Sequence, residues 1–177
     1  MNKILALGAP EYVLEREQWV PQPLDTVFEF FENPDNLVRI TPSWLDFKIV
    51  AMEPNVIRAG TRIEYRLKWY GFPYRWVTLI ESWSEGESFV DTQINGPYIL
   101  WHHTHTFKEV AGGVLLTDRV RYRLPFGPIG RLMHVLIVKR QLQEVFDYRL
   151  KKVAEFFSGG TYFRTPESRA TATLSES

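Results

Sequence analysis

Hydrophobic positions recur with three different periods along this chain. Glu11 to Gln22 mixes apolar Tyr12, Val13, Leu14, Trp19 and Val20 with charged residues and stops at Pro21-Gln22-Pro23. That reads as a first strand, closed by prolines that cannot donate to a sheet ladder. Val27, Phe28, Phe31 and later Leu37 then keep helical spacing, with Asp25 as the expected N-cap. Asn33-Pro34 interrupts this stretch, so two short helices are predicted before Thr41-Pro42.

From Phe47 to Leu124 the period becomes two. Ile63, Tyr65, Leu67 and Trp69 alternate with charged Arg62, Glu64, Arg66 and Lys68, while Val120, Tyr122 and Leu124 alternate with three arginines. Such alternation belongs to antiparallel strands with one wet face. Turn residues at Tyr70-Gly71-Phe72-Pro73, Ser84-Glu85-Gly86, Asn95-Gly96-Pro97 and Ala111-Gly112-Gly113 separate successive strands, which predicts a meander of hairpins. After Pro125-Phe126-Gly127-Pro128 the period lengthens to 3.6. Ile129, Leu132, Met133, Leu136, Val138, Leu142, Val145, Phe146, Leu150, Val153, Phe156 and Phe157 form the apolar stripe of one long helix, ended by Ser158-Gly159-Gly160.

The predicted order is one strand, two short helices, six strands and a long helix, an α+β arrangement. The helix stripe has to bury itself against the apolar face of the antiparallel sheet. A curved sheet bends away from a straight helix and leaves a hollow where a ligand can sit. Residues 10–157 make up this domain, 1–9 are a short N-terminal extension, and 158–177, polar and without period, are expected to be a disordered tail.

Charge removes several function classes. Lys+Arg and Asp+Glu each number 21 in 177 residues, so the net charge is zero. That leaves neither the electrostatic footprint of a nucleic-acid binder nor a polybasic membrane anchor. The absence of Cys excludes disulfides, thiolate nucleophiles and Cys-based metal sites. No apolar run approaches the ~20 residues of a spanning helix, and the N-terminus falls short of the ~7–15-residue apolar core of a signal peptide. A cytoplasmic protein without a transmembrane segment is expected. Aromatic residues reach 15% although the hydrophobic fraction, 45%, is ordinary. Rings fill cores, and they also line cavities for flat or greasy ligands.

Strand alternation sorts the polar candidates. Trp101, His103, His105 and Phe107 share one face, Asp118 falls on the face of Tyr122, and Asp91 and Gln93 fall on that of Phe89. An inner face carrying these groups is too polar for a dry core, since each costs about 1–3 kcal/mol if buried unpaired. Three uses remain open. They are a satisfied network (His105 with Asp118, for instance), the polar lining of a ligand cavity, or acid–base work by an imidazole. In the ligand reading Tyr65, Trp69, Trp76, Trp101, Phe107, Tyr122, Leu142 and Phe146 supply apolar wall. His103, His105, Asp91, Gln93 and Asp118 orient a carbonyl or hydroxyl.

His103-Thr104-His105 followed by Glu109 has the H-x-H-x3-E spacing of cupin metal sites. A cupin adds a His from a later strand and lacks a long C-terminal helix, whereas His134 here lies in the predicted helix. No metal and no cofactor are therefore expected. Gly127-Pro128-Ile129-Gly130 reads as a helix entry rather than an anion site, for it lacks the Lys and spacing of a phosphate loop. No nucleophile elbow surrounds Ser82 or Ser84. Trp69, Phe72, Tyr74 and Trp76 crowd one hairpin, as a core cluster, a cavity mouth or a homodimer contact.

The stretches Asn36 to Phe47, Gly60 to Tyr65, Phe89 to Tyr98, Trp101 to Phe107, Asp118 to Gly127 and Phe146 to Arg149 resemble a bacterial ligand-binding branch of the SRPBCC superfamily. That superfamily includes START lipid-transfer domains, pollen-allergen-like proteins and polyketide cyclases. The resemblance implies a helix-grip fold, in which a seven-stranded antiparallel sheet wraps a long C-terminal helix around an apolar cavity. It further implies binding or transfer of a hydrophobic small molecule (lipid-like, polyketide-like or aromatic). The alternative is a cyclase/dehydrase-type enzyme using cavity His and Tyr residues as acid and base. No catalytic residue carries over, because the branch has no generally assigned reaction.

Overall fold

The computed structural model describes residues 9–69 and 71–158; the expected extension and tail lie outside the described residues, apart from Ala9 and Ser158. Strand β1 (Tyr12–Val20) leads into helices α1 (Leu24–Glu32) and α2 (Pro34–Arg39) and a 3-10 turn at Ser43–Leu45. Then come β2 (Lys48–Glu53), β3 (Arg62–Trp69), β4 (Phe72–Ser84), β5 (Ser88–Asn95), β6 (Leu100–Val110) and β7 (Gly113–Arg123). Helices α3 (Gly127–Met133) and α4 (Lys139–Ser158) follow, joined through a π turn at His134–Val138. The sheet order is β1-β7-β6-β5-β4-β3-β2, with every pairing antiparallel. Consecutive hairpins build β2 to β7, and β1 closes on β7 with Tyr12 opposite Tyr122. This is a helix-grip fold.

Local chemistry accounts for the helix boundaries. Pro34 occupies the first turn of α2, where its missing N–H costs nothing, and the Asn33 side chain accepts from Asp35 N at 2.9 Å. Asp25 is not the N-cap of α1. Pro23 takes that position and Asp25 sits in the first turn, where its charge suits the helix dipole.

The C-terminal stripe departs from the uniform 3.6 period. Ile129, Leu132 and Leu136 are 66%, 58% and 63% exposed, so they do not pack on the sheet. The π turn takes up the register; Val138, Leu142, Phe146 and Val153 of the predicted stripe face inward as expected, joined by Gly130 and His134. Gly130 is required by proximity, because a Cβ there would stand 2.2 Å from the Pro125 carbonyl oxygen. Gly127-Pro128-Ile129-Gly130 thus serves as a helix entry.

Packing is divided. One apolar cluster joins α1 to β6, β7 and Val153, and includes Phe28, Phe30, Phe107 and Leu116. A second joins β1 and β7 to the helix through Leu14, Val120, Val138, Leu142 and Phe146. A third gathers Ile57, Ile63, Tyr65 and Ile80 beneath β3 and β4. Side chains from all three clusters line one hollow.

Candidate functional site

Strand register brings four titratable side chains to one spot. Asp91 of β5 stands opposite His103 of β6, and His105 of β6 stands opposite Asp118 of β7. The aligned hydrogen bonds run diagonally. His103 Nε2 lies 2.9 Å from Asp118 Oδ1, and His105 Nε2 lies 3.0 Å from Asp91 Oδ2. The direct pairs are close as well, with His103 Nδ1 at 3.2 Å from Asp91 Oδ2 and His105 Nδ1 at 2.8 Å from Asp118 Oδ1. Each imidazole therefore has a carboxylate oxygen at both nitrogens. Phe89 stacks on His105 at 4.0 Å, and the edge of Phe146 meets His103 at 5.4 Å.

Burial and charge set the protonation states. Burial alone raises a carboxyl and lowers an imidazole. At Asp118 the facing His105 and His103 outweigh burial and hold the carboxyl well below its usual range. Asp91 is likewise lowered against its burial by the charges and hydrogen bonds of His103 and His105. His103 is raised, because Asp91 and Asp118 overcome its desolvation. Burial, with the Asp91 charge, also pushes up the Tyr65 phenol, which stays a neutral donor. The Asp118 side chain is 1% exposed while that of Asp91 is 18% exposed, so one carboxylate is sealed and the other faces the hollow.

The hollow has a volume of about 430 Å³, within the usual range for small-molecule sites. Asp91, His103 and His105 form its polar floor; Tyr65, Trp69, Trp76, Trp101 and Leu142 belong to its walls. Trp76 and Trp101 meet edge to face at 5.1 Å, and the Trp69 indole N–H donates to Gln141 of α4. Exposed Pro97, Phe126 and Ile129 also line it, so it reaches the surface beside the start of α3.

Five predicted residues fall outside that lining. The Gln93 amide turns to the Tyr98 backbone, donating to its carbonyl at 2.8 Å and accepting from its N–H at 3.2 Å. Phe107 packs among Phe28 and Phe31 at 5.0 and 5.3 Å. The Tyr122 hydroxyl is 3.0 Å from His134 Nε2, directed away from the floor. Asp118 and Phe146 stand behind the imidazoles. Glu109, the third member of the cupin-like spacing, is exposed near the β6–β7 turn and joins no group with the histidines. On the hairpin, Trp69, Tyr74 and Trp76 line the hollow, whereas Phe72 is exposed.

Sequence reasoning missed Arg149. It lies three residues beyond Phe146 and four before Val153, a cation on the buried stripe, and that spacing was the available signal. Its Nη1 is 3.9 Å from Asp118 Oδ1, its guanidinium stands 5.0 Å over the Phe146 ring, and it lines the hollow. Its Nε is buried without a hydrogen-bond partner.

A family described as polyketide cyclase/dehydrase and lipid transport matches residues 20–148. The chain belongs to this family. Membership in the polyketide cyclase/dehydrase and lipid transport family supports hydrophobic-ligand binding in general. No curated protein sequence matches the chain. Among solved structures it is similar to protein Ms6760 from Mycobacterium smegmatis, at 16% identity over 85% of this chain and 93% of that one, with a TM-score of 0.63. TTHA0849 from Thermus thermophilus is 18% identical over 85% and 99% of the two chains, with a TM-score of 0.62. A structure named Ara h 8.0201 aligns over 82% and 99% at 16% identity, with a TM-score of 0.57. At these identities the likeness is one of fold. Among the described residues no helix is long and apolar enough to cross a membrane.

Proposed function

We propose that this protein binds and carries, in the cytoplasm, a hydrophobic small molecule bearing an oxygen-containing head. The observation that carries this reading is a largely apolar, ring-walled hollow with the Asp91, His103 and His105 side chains gathered at its floor. Burying 300 Å² of apolar ligand surface would contribute about 7–8 kcal/mol before the costs of association. The floor supplies orientation. Tyr65 offers a phenolic O–H, Arg149 a guanidinium charge, and Asp91 an acceptor. Lipid-like, polyketide-like and aromatic acids or ketones share this division into greasy body and oxygen head.

Native mass spectrometry of the protein purified from its source tests the reading. A co-purifying small molecule is expected, together with a rise in melting temperature on adding a matching compound from a lipid and aromatic panel. A protein that retains nothing and is stabilised by nothing in the panel is not a carrier. The His–Asp floor also favours a second reading, a cyclase/dehydrase in which His103 or His105 moves a proton and Tyr65 donates to an enolate oxygen. Loss of turnover in His103→Ala with affinity kept within a few-fold would select it.

A further inference from the structure

The floor's geometry asks for a cation. A neutral imidazole has one N–H, yet both nitrogens of His103 and of His105 face a carboxylate oxygen within 3.2 Å. In each neutral ring one nitrogen would hold its lone pair within 3.2 Å of a carboxylate oxygen, a repulsion that positive charge at the floor removes. The two nitrogens on the Asp91 side, His103 Nδ1 and His105 Nε2, converge on the same atom, Asp91 Oδ2. One ion at that corner resolves both conflicts at once.

We propose that Asp91, His103 and His105 bind a single divalent first-row transition-metal ion whose remaining coordination positions open into the hollow. The three ligand atoms all lie within 4.8 Å of one another, and the two nitrogen–oxygen edges are 3.2 and 3.0 Å. Metal–ligand bonds of about 2.1 Å meeting at right to tetrahedral angles need edges of roughly 3.0–3.4 Å. The far nitrogens complete the arrangement. His103 Nε2 makes a 2.9 Å hydrogen bond with Asp118 Oδ1, so a sealed carboxylate takes the N–H of that ring and fixes its orientation, and His105 Nδ1 stands 2.8 Å from the same oxygen.

Two imidazoles and one carboxylate suit Zn²⁺, Fe²⁺ or Co²⁺ rather than Mg²⁺ or Ca²⁺, which prefer oxygen shells. The carboxylate is Asp91 from a neighbouring strand, and the H-x-H-x3-E spacing plays no part. Asp91 and Asp118 balance the ion's charge, and Arg149 beside them adds a positive one. An oxygen from a molecule in the hollow is the fitting fourth ligand. Metal binding does not require that molecule, so it stands or falls apart from the carrier reading.

The test uses the full chain, stripped with a chelator and titrated with Co²⁺ as the probe. One equivalent is expected to give visible ligand-field absorption that Zn²⁺ abolishes. Asp91→Asn and His105→Gln should remove the band, Asp118→Asn should weaken affinity ten- to hundredfold, and Glu109→Gln should change nothing. Absence of the band in the unaltered protein, or its survival in Asp91→Asn, overturns the assignment. Where a variant fails to fold, anomalous diffraction from Co²⁺-soaked crystals of the unaltered protein decides. A peak bonded to His103 Nδ1 and His105 Nε2 supports the site, and none there refutes it.

Discussion

His103 and His105 lie with their ring centroids 3.7 Å apart, and both reach the same sealed Asp118 oxygen. Two residues apart on one strand, they tie three neighbouring strands into a unit through their contacts to Asp91 and Asp118. The arrangement is a cross-strand staple and the polar floor of the hollow at once.

The two carboxylates of that staple should differ in cost. Asp118→Asn keeps the shape but leaves the imidazoles without their buried counter-charge, a change that typically costs about 3–5 kcal/mol. Asp91 faces the hollow, where water can compensate, so Asp91→Asn is expected to cost only about 1–2 kcal/mol. Urea unfolding of both variants measures the order; equal losses would mean that Asp118 is not the structural partner.

His134 provides a pH dependence that does not involve the floor. It is buried in the π turn, stacks on Tyr12 of β1 at 3.5 Å and meets the Tyr122 hydroxyl of β7, while Lys139 stands near on its own helix. Burial first, and then the Lys139 charge, bring its pKa down to about 4 from 6.5. Below 6.5 the unfolded chain takes up a proton that the folded chain refuses, so stability is full above 6.5 and falls as pH drops towards 4. The melting temperature should follow that course. In His134→Gln the slope across this window should flatten, and an unchanged slope would assign it to other groups.

Gly130 should be intolerant of any side chain. A Cβ placed 2.2 Å from the Pro125 carbonyl forces α3 away from the end of β7. Gly130→Ala is expected to cost about 1–3 kcal/mol, the usual penalty of overpacking. Since Phe126 and Ile129 line the open end of the hollow, the variant should also alter ligand exchange. A melting temperature equal to that of the unaltered chain would show that the helix entry yields freely.

Alternation was enough to place His103, His105, Asp91 and Asp118 on one face, because a strand has only two sides. It could not say how far along that face each residue sits. Phe107 and Tyr122 share the face yet lie beyond the ends of the hollow, where α1 and His134 cover them. Gln93 was legible as inward-facing, but not its capture by the Tyr98 backbone, which depends on the path of a turn. The helix was harder. Ile129, Leu132 and Leu136 fit a 3.6 period, but the π turn shifts the register and leaves them outside. Arg149 was passed over because a charge between apolar positions normally marks a wet face.

Arg149 makes the most specific demand on the ligand. It lines the hollow, and its guanidinium is held by Phe146 and Asp118. A ligand carboxylate there gains a charge-assisted hydrogen bond of about 1.5–3 kcal/mol, roughly ten- to hundredfold in affinity. Arg149→Met keeps the apolar stem and removes that donor. With a fluorescent aromatic acid as probe, the variant should bind ten- to hundredfold more weakly. For the neutral methyl ester the two proteins should agree within about twofold, since wall contacts alone then set affinity. Equal weakening of acid and ester would mean that Arg149 shapes the hollow rather than reading the head group.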